Sequence, residues 1–70
     1  MKREVVEAPT IKSIGYGRYS SKLEIEFKNG DIFQYFKVPV SIYEWIMSAS
    51  CCSSFFEDFV KNVYRDKRVL

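Results

Sequence analysis

The strongest constraint on the fold lies in residues 22–28, where charged and apolar side chains alternate strictly. Successive side chains of an extended strand point to opposite sides, so Leu23, Ile25 and Phe27 would share one face. Asn29-Gly30 follows at once, and this dipeptide is the strongest short-range signal of a β-hairpin. The pattern therefore predicts a half-buried antiparallel strand that turns into a return strand over residues 32–38.

The length of this turn decides which side chains of the return strand enter the core. A two-residue turn at Asn29-Gly30 would bury the even-numbered positions of that strand. A three-residue loop with a bulge at Gly30 would bury Phe33 and Tyr35 instead, because a slip of one residue exchanges the two faces. We favour the bulged loop, since it buries both aromatic rings and keeps Gln34 out of the core.

The remaining predicted elements are a first strand over residues 10–16 and two helices after Pro39. Capping boxes, which pair a hydroxyl with a carboxylate three residues later, run from Ser41 to Glu44 and from Ser54 to Glu57. Apolar residues at helical spacing predict that the last helix continues to residue 64 with one face on the sheet: Phe55, Phe56, Phe59, Val60, Val63 and Tyr64. The predicted fold is α+β, a three-stranded antiparallel β-meander packed against two C-terminal α-helices.

A chain of 70 residues has room for one domain with one core. Apolar residues make up 47% of it and aromatic residues 17%, enough large side chain to close a core without disulfides. We expect residues 1–9 to form a flexible N-terminal lead-in and residues 10–68 to form the single domain. No segment is typical of a signal peptide or membrane span, and adjacent Cys51 and Cys52 have the wrong spacing for an ordinary disulfide. These features predict a cytoplasmic protein.

Short motifs occur in a definite order along the chain. They are Val6-Glu7, Ile11-Lys-Ser-Ile-Gly-Tyr16, Leu23-Glu-Ile-Glu-Phe27, Asn29-Gly30, Phe33-Gln-Tyr35, Val38-Pro39, Tyr43, Ala49 and Phe55-Phe56…Val60…Tyr64. Over roughly residues 6–68 this ordered set resembles the KTSC domain, which is named for the C-terminus of some lysyl-tRNA synthetases. That domain also occurs as a free-standing small bacterial or phage protein. Through the synthetase attachment, the resemblance implies RNA binding.

The chain departs from the family pattern at several polar positions. Phe33 stands where Tyr is usual, Ala8-Pro9 replace a Ser pair, Gly17 replaces Asp, Cys51-Cys52-Ser53 replace a Ser-Lys-Gly-like step, and Glu57 replaces Asn. A lysine is lost and a carboxylate gained near the last helix. Both changes weaken a nucleic-acid site transferred from the family.

The residue types argue against an enzyme. The chain has no histidine, which removes the commonest general base near neutral pH and the commonest zinc ligand. Gly15-Tyr-Gly17 is too short for a phosphate-binding loop. Cys52 precedes a predicted helix start, where the pKa of a thiol falls, and is the one residue with reactive potential. No base accompanies it, so we interpret it as a small residue in an interhelical turn and expect no catalytic residue, cofactor, metal or small-molecule substrate.

Weak binding of RNA or another nucleic acid is the first functional hypothesis. Its candidate residues lie at the basic end of the last helix and in the sheet and loops: Lys12, Arg18, Lys37, Lys61, Arg65, Lys67 and Arg68. Tyr16, Tyr19 and Phe36 are placed to stack on unpaired bases. Against this hypothesis, Glu24 and Glu26 would repel phosphates from the outward sheet face. Basic residues at a helix end are also expected on dipole grounds alone.

The alternative is a protein-interaction or dimerisation module. In this interpretation Tyr19, Ile32 and Phe36 form a small apolar patch on a charged surface, which is typical of a partner surface. An exposed edge strand would offer a second route, by strand addition. The partner would be another protein or a second copy of the chain.

Overall fold

The protein has a five-stranded sheet with two helices on one side. The computed structural model describes residues 3–70, and its elements follow in the order β1 (Arg3–Val5), β2 (Ile11–Gly17), β3 (Lys22–Phe27), β4 (Ile32–Tyr35), α1 (Val40–Ser48), α2 (Cys52–Phe59) and β5 (Asp66–Arg68). The strands pair antiparallel in chain order, so β3 is central. The predicted α+β class is confirmed, but the prediction of three strands missed both edges of the sheet.

The hairpin between β3 and β4 has the bulged loop that we favoured. The Phe27 amide donates to the Asp31 carbonyl over 2.8 Å, and Gly30 takes a left-handed φ of +100°. Ile25 lies opposite Phe33 in the resulting register. Both aromatic rings of β4 therefore lie on the same side of the sheet as the apolar residues of β3.

The first edge strand, β1, lies within the segment expected to be a flexible lead-in. Arg3 pairs with Gly15 and Val5 with Ser13 in a ladder with β2. Residues 1 and 2 of the expected lead-in lie outside the described residues. Val5 is 81% exposed, so β1 contributes little to the core. Hydrophobic periodicity, the main sequence signal for a strand, therefore cannot reveal it.

The last helix is shorter than predicted, and this difference creates β5. α2 ends at Phe59, and Asn62 adopts a left-handed φ of 65°, which stops a helix and which asparagine tolerates better than most residues. The chain then turns back, and the Phe36 amide donates to the Arg65 carbonyl over 2.9 Å beside the β4–β5 ladder. The prediction of a helix to residue 64 is wrong, and the basic C-terminal residues lie along an edge strand instead.

The helices also begin earlier than the predicted capping boxes. α1 follows Pro39 directly, which leaves Ser41 inside its first turn. α2 has Cys51 at its N-cap position, so Ser54 likewise lies inside the helix. Neither serine therefore caps a helix as predicted. Within residues 3–70, neither helix combines the length and the apolar character that crossing a membrane requires.

The core lies between the helices and the side of the sheet that they cover. We call this the helix side and the opposite face the open side. The buried apolar residues of the core are Ala8, Ile11, Ile14, Leu23, Ile25, Tyr35, Val38, Ile46, Cys52, Phe56 and Val60. Phe59 and Val63, which were predicted to face the sheet, are 51% and 61% exposed. Only part of the predicted aromatic ridge of α2 therefore packs against the sheet.

Candidate nucleic-acid interface

One end of the sheet collects cationic side chains from several segments. The turn after β2 carries Arg18, β3 begins at Lys22, the segment after β4 carries Lys37, and Arg65 and Lys67 lie at the start of β5. We call these five residues the basic sheet end. All except the partly buried Lys22 are exposed.

Backbone hydrogen bonds hold these segments next to one another. The Val38 amide donates to the Ser21 carbonyl over 2.9 Å, so the segment after β4 lies against the β2–β3 turn. The Phe36 amide donates to the Arg65 carbonyl, which places the start of β5 on the other side of that segment. Lys67 follows on the open side. The proximity of the cations is therefore built into the strand pairing.

Two aromatic side chains accompany the basic sheet end. Tyr19 is fully exposed on the β2–β3 turn. Phe36 is partly buried, and the Lys22 ammonium lies 5.5 Å from its ring centroid, within the range of a cation–π contact. Ile32, the third residue of the predicted apolar patch, lies at the far end of β4 and is only 9% exposed. Tyr16, the other predicted stacking residue, already stacks on a ring within the domain.

The carboxylates of the open side are compensated by the edge strand β1. Arg3 forms an ion pair with Glu24, and its Nε lies 3.9 Å from an Oε1 of Glu26. Gln34 donates to Glu24 over 3.0 Å, and Ser13 donates to Glu26 over 2.8 Å. Burial opposes ionisation of Glu24, but the hydrogen bonds from Gln34 and Arg3 and the charge of Arg3 outweigh it and lower its pKa. The repulsion of phosphates expected from these carboxylates is thereby reduced.

The other three cations of the predicted set lie apart from the basic sheet end. Lys12 is exposed near the opposite end of β2, and Lys61 follows α2 on the helix side. Arg68 donates from Nη2 to Oδ1 of Asp31 over 2.9 Å, so its charge is compensated. The structure thus brings together four of the seven predicted residues. The structure adds Lys22 to this group. Its position beside a turn, at the start of a charged strand, was the sequence signal that could have identified it.

Comparison with known proteins identifies the family. The family model of the KTSC domain matches residues 9–64, most of the chain. This chain belongs to the KTSC domain family. A KTSC domain protein from Yersinia pestis, known from a crystal structure, aligns with a TM-score of 0.93 and 31% identity over 99% of this chain and 97% of that one. The resemblance inferred from the ordered motifs is therefore confirmed.

The relatives of this KTSC domain include larger and similarly sized proteins. A lysine–tRNA ligase of Nostoc punctiforme is 34% identical over 59 residues, which cover 84% of this chain and 10% of the ligase. The chain thus spans a small fraction of that relative's length. An uncharacterised protein of Stutzerimonas stutzeri is 28% identical over 61 residues, covering 87% of this chain and 86% of that protein.

The two cysteines of this KTSC domain have different environments. Cys52 is buried in the first turn of α2, and burial, with a smaller effect of Cys51, raises the pKa of its thiol. Cys51 is the N-cap, and hydrogen bonds from the Ser54 hydroxyl and from the amides of Ser54 and Ser53 lower its pKa. The prediction that Cys52 precedes the helix start is wrong, because α2 begins at Cys52 and Cys51 takes the preceding position. In the part of the chain that the structure describes, no three His, Cys, Asp or Glu residues are grouped to hold a metal ion.

Replacement of Glu24 by Gln should lower the free energy of unfolding of this KTSC domain by about 1–3 kcal/mol near pH 7, because Arg3 loses its charged partner. The folded-state pKa of Glu24 lies below its unfolded value. The stabilisation is therefore present above the unfolded pKa and is lost as the pH falls through the folded pKa. Urea unfolding near pH 7 and near pH 3 measures both free energies, and the gap between wild type and variant should narrow at low pH.

Glu4→Gln is the matched control, because Glu4 is exposed on β1 and its backbone position faces Ile14. It should change the free energy of unfolding by less than about 0.5 kcal/mol at either pH. A Glu24→Gln loss that stayed the same size near pH 3 would contradict the charge explanation.

Iodoacetamide should modify Cys51 of the folded domain at least about tenfold faster than Cys52, because the thiolate is the reactive form and Cys52 is buried. Peptide mass spectrometry over a time course near neutral pH measures both rates. Cys51→Ser and Cys52→Ser assign the two signals separately, and unfolding in urea should bring the rates together. Equal rates in the folded domain would disprove the difference.

Proposed function

We propose that this KTSC domain binds single-stranded RNA through the basic sheet end. The observation that carries the proposal is that strand pairing brings five cations to one end of the sheet, where the β2–β3 turn also carries the exposed ring of Tyr19. Cations contact phosphates, and exposed aromatic rings stack on unpaired bases, which is how sheet proteins hold single-stranded nucleic acid. Binding of this kind needs both cations and aromatic rings, and the basic sheet end has both.

The charge pattern around this surface supports the proposal. Asp66 lies between Arg65 and Lys67 in sequence, but it pairs with the buried Tyr35 and so belongs to the helix side. Glu57, the carboxylate that departs from the family pattern, also lies on the helix side. Asp66 and Glu57 therefore do not interrupt the basic surface, and Glu24, two residues after Lys22 on the open side, is compensated by Arg3.

The relatives offer independent support. The Nostoc punctiforme relative is named a lysine–tRNA ligase, so in that protein the similar segment is joined to an enzyme that acts on an RNA. A domain that contacts RNA weakly and without strong sequence preference would suit such an attachment. We carry this property to the present chain as part of the proposal.

The test is fluorescence anisotropy with a labelled single-stranded RNA of about 12 nucleotides, within the range that small sheet domains cover. The double variant Lys37→Ala/Arg65→Ala should weaken binding by about tenfold or more. It should also reduce the slope of log affinity against log salt by about 1.4, because each lost phosphate contact on a single strand contributes about 0.7. Tyr19→Ala should weaken binding by about fivefold or more without changing the slope.

Lys12→Ala/Lys61→Ala is the matched control, because it removes the same net charge from outside the basic sheet end. It should change the affinity by less than about threefold, through general electrostatics alone. Equal losses in the two double variants would mean that net charge and not this surface attracts RNA. Absence of binding at low salt would reject the proposal outright.

Protein binding is a second candidate function, and it rests on a different surface. Trp45 and Phe55 lie edge to face with centroids 6.4 Å apart, and Phe55 and Phe59 lie 4.6 Å apart. Trp45 is 58% exposed and Phe59 is 51% exposed, so this helical aromatic cluster faces solvent. Glu44 and Asp58, the sequence neighbours of Trp45 and Phe59, are exposed as well. The surface therefore fits a protein segment whose apolar residues are flanked by lysine or arginine.

Trp45 is the only tryptophan of the chain, so its fluorescence reports on this cluster. An amphipathic peptide of leucine and lysine should shift its emission, and the same peptide with glutamate in place of lysine should bind at least about fivefold more weakly. Phe59→Ser should weaken binding, whereas Val63→Ser, equally exposed but outside the cluster, should not. Equal binding of both peptides would mean that the cluster does not select a basic partner. Concentration-dependent self-association that is lost with Phe59→Ser would mean that the partner is a second copy of the chain.

A further inference from the structure

A cleft on the helix side lies apart from the basic sheet end. It has a volume of about 350 Å³ and opens between α2, with the turn that follows it, and the hairpin end of the sheet. Asn29, Lys61 and Asn62 are among the residues that line it. This volume is near the lower limit of small-molecule sites, so the cleft suits a group the size of one long side chain.

Four aromatic rings of the lining contact one another in a closed circuit. Phe27 meets Phe33 at 5.9 Å and Phe56 at 5.5 Å between centroids. Tyr35 meets Phe56 at 5.3 Å and Phe33 at 6.5 Å. Tyr35 and Phe56 are buried, whereas Phe27 and Phe33 are only partly buried. The cleft therefore has an aromatic wall that the domain itself leaves partly open.

The polar lining of the cleft carries more negative than positive charge. Asp31, Glu57 and Asp66 contribute carboxylates, and Lys61 contributes the one cation among the lining residues that the structure describes. Arg68 compensates Asp31 from outside the lining. The two negative charges of Glu57 and Asp66 exceed the one positive charge of Lys61. This excess of negative charge disfavours an anionic occupant.

Asp66 lies beside the aromatic wall, opposite Tyr35 in the β4–β5 pairing. Burial, followed by the charge of Asp66, raises the pKa of Tyr35 to about 12. The Tyr35 ring therefore lines the cleft as a neutral phenol together with the carboxylates of Glu57 and Asp66. Aromatic faces and carboxylates both attract cations, and the two effects act together in one cleft.

We propose that this cleft binds an organic cation, a guanidinium or alkylammonium group carried on an apolar stem. The stem packs on Phe27 and Phe33, and the cationic head lies between the aromatic wall and the carboxylates of Glu57 and Asp66. This function goes beyond RNA binding, because it uses the other side of the sheet and the opposite charge. The group is either a free small molecule or an arginine or lysine side chain of a partner protein.

The test is a titration of the ¹⁵N-labelled domain followed by amide NMR shifts, with agmatine as the probe. The amides of Asn29, Glu57, Lys61 and Asn62 should shift with an affinity in the millimolar range, and that of Arg18 should not. Butylguanidinium, which has one charge where agmatine has two, should shift the same amides. Pentanamide and pentanoate, neutral and anionic compounds with the same butyl stem, should cause shifts at least about fivefold smaller at equal concentration.

Substitutions on the rim locate the site. Glu57→Gln should weaken agmatine binding by about threefold or more, because it removes one carboxylate without changing the side-chain size. Asp58→Asn is the matched control on the next residue of α2, which does not line the cleft. Lys61→Ala should strengthen binding, because it removes the competing cation. Lys37→Ala/Arg65→Ala should leave it unchanged, which separates this site from the RNA surface.

Blocked Gly-Arg-Gly and Gly-Lys-Gly peptides distinguish the two sources of the cation. Tighter binding of a peptide than of butylguanidinium, which carries the same single charge, would assign the cleft to a protein side chain, and the reverse would assign it to a free small molecule. Equal shifts with agmatine and pentanoate, equal weakening by Glu57→Gln and Asp58→Asn, or no shifts around the cleft would each overturn the proposal.

Discussion

The burial of Leu23 and Ile25 in one core cluster with Phe56 and Val60 is the constraint on which the rest of the structure depends. β3 is the central strand, and none of these four side chains is more than 3% exposed. Full burial of one such side chain contributes about 1.5–3 kcal/mol. A chain of this length has one core, so no second cluster would hold α2 on the sheet if this one were lost. The cleft depends on this cluster as well, because α2 forms one of its walls.

The same alternation that buries Leu23 and Ile25 forces Glu24 and Glu26 onto the open side. Two carboxylates on a central strand would make that face unfavourable for any anion. Arg3 offsets them from the edge strand, and it does so without contributing apolar surface to the core. The short charged strand β1 therefore matters for the electrostatics of the open side more than for packing. Without it, the cations at the end of the sheet would lie beside uncompensated negative charge.

The centre of the fold could be predicted because its signals are local. The alternation of apolar and charged residues around Ile25 identified β3. The hairpin register followed from the cost of burying the polar side chain of Gln34 in the core. The edges could not be predicted in this way, since three charged residues such as Asp66–Arg68 have no period to detect. Asn62 was a stop signal, but the apolar residues after it imitate a continuing helix. The chain reverses direction after Asn62 and so places Arg65 beside the end of β4. The basic residues could be read from the sequence, but their convergence could not, because it depends on this reversal.

The extended segment around β5 carries opposite charges on its two faces. Arg65 and Lys67 are two residues apart and share one side, whereas Asp66 between them pairs with Tyr35 on the other side. The backbone therefore directs cations toward the basic sheet end and a carboxylate toward the aromatic cleft, although the three residues are consecutive. A register shift of one residue against β4 would exchange these faces and place Arg65 or Lys67 opposite Tyr35 in the position of Asp66. The pairing of Phe33 with Arg68 and of Tyr35 with Asp66 is thus a condition for both proposed binding surfaces. This pairing also holds β5 in place, although β5 adds almost nothing to the core.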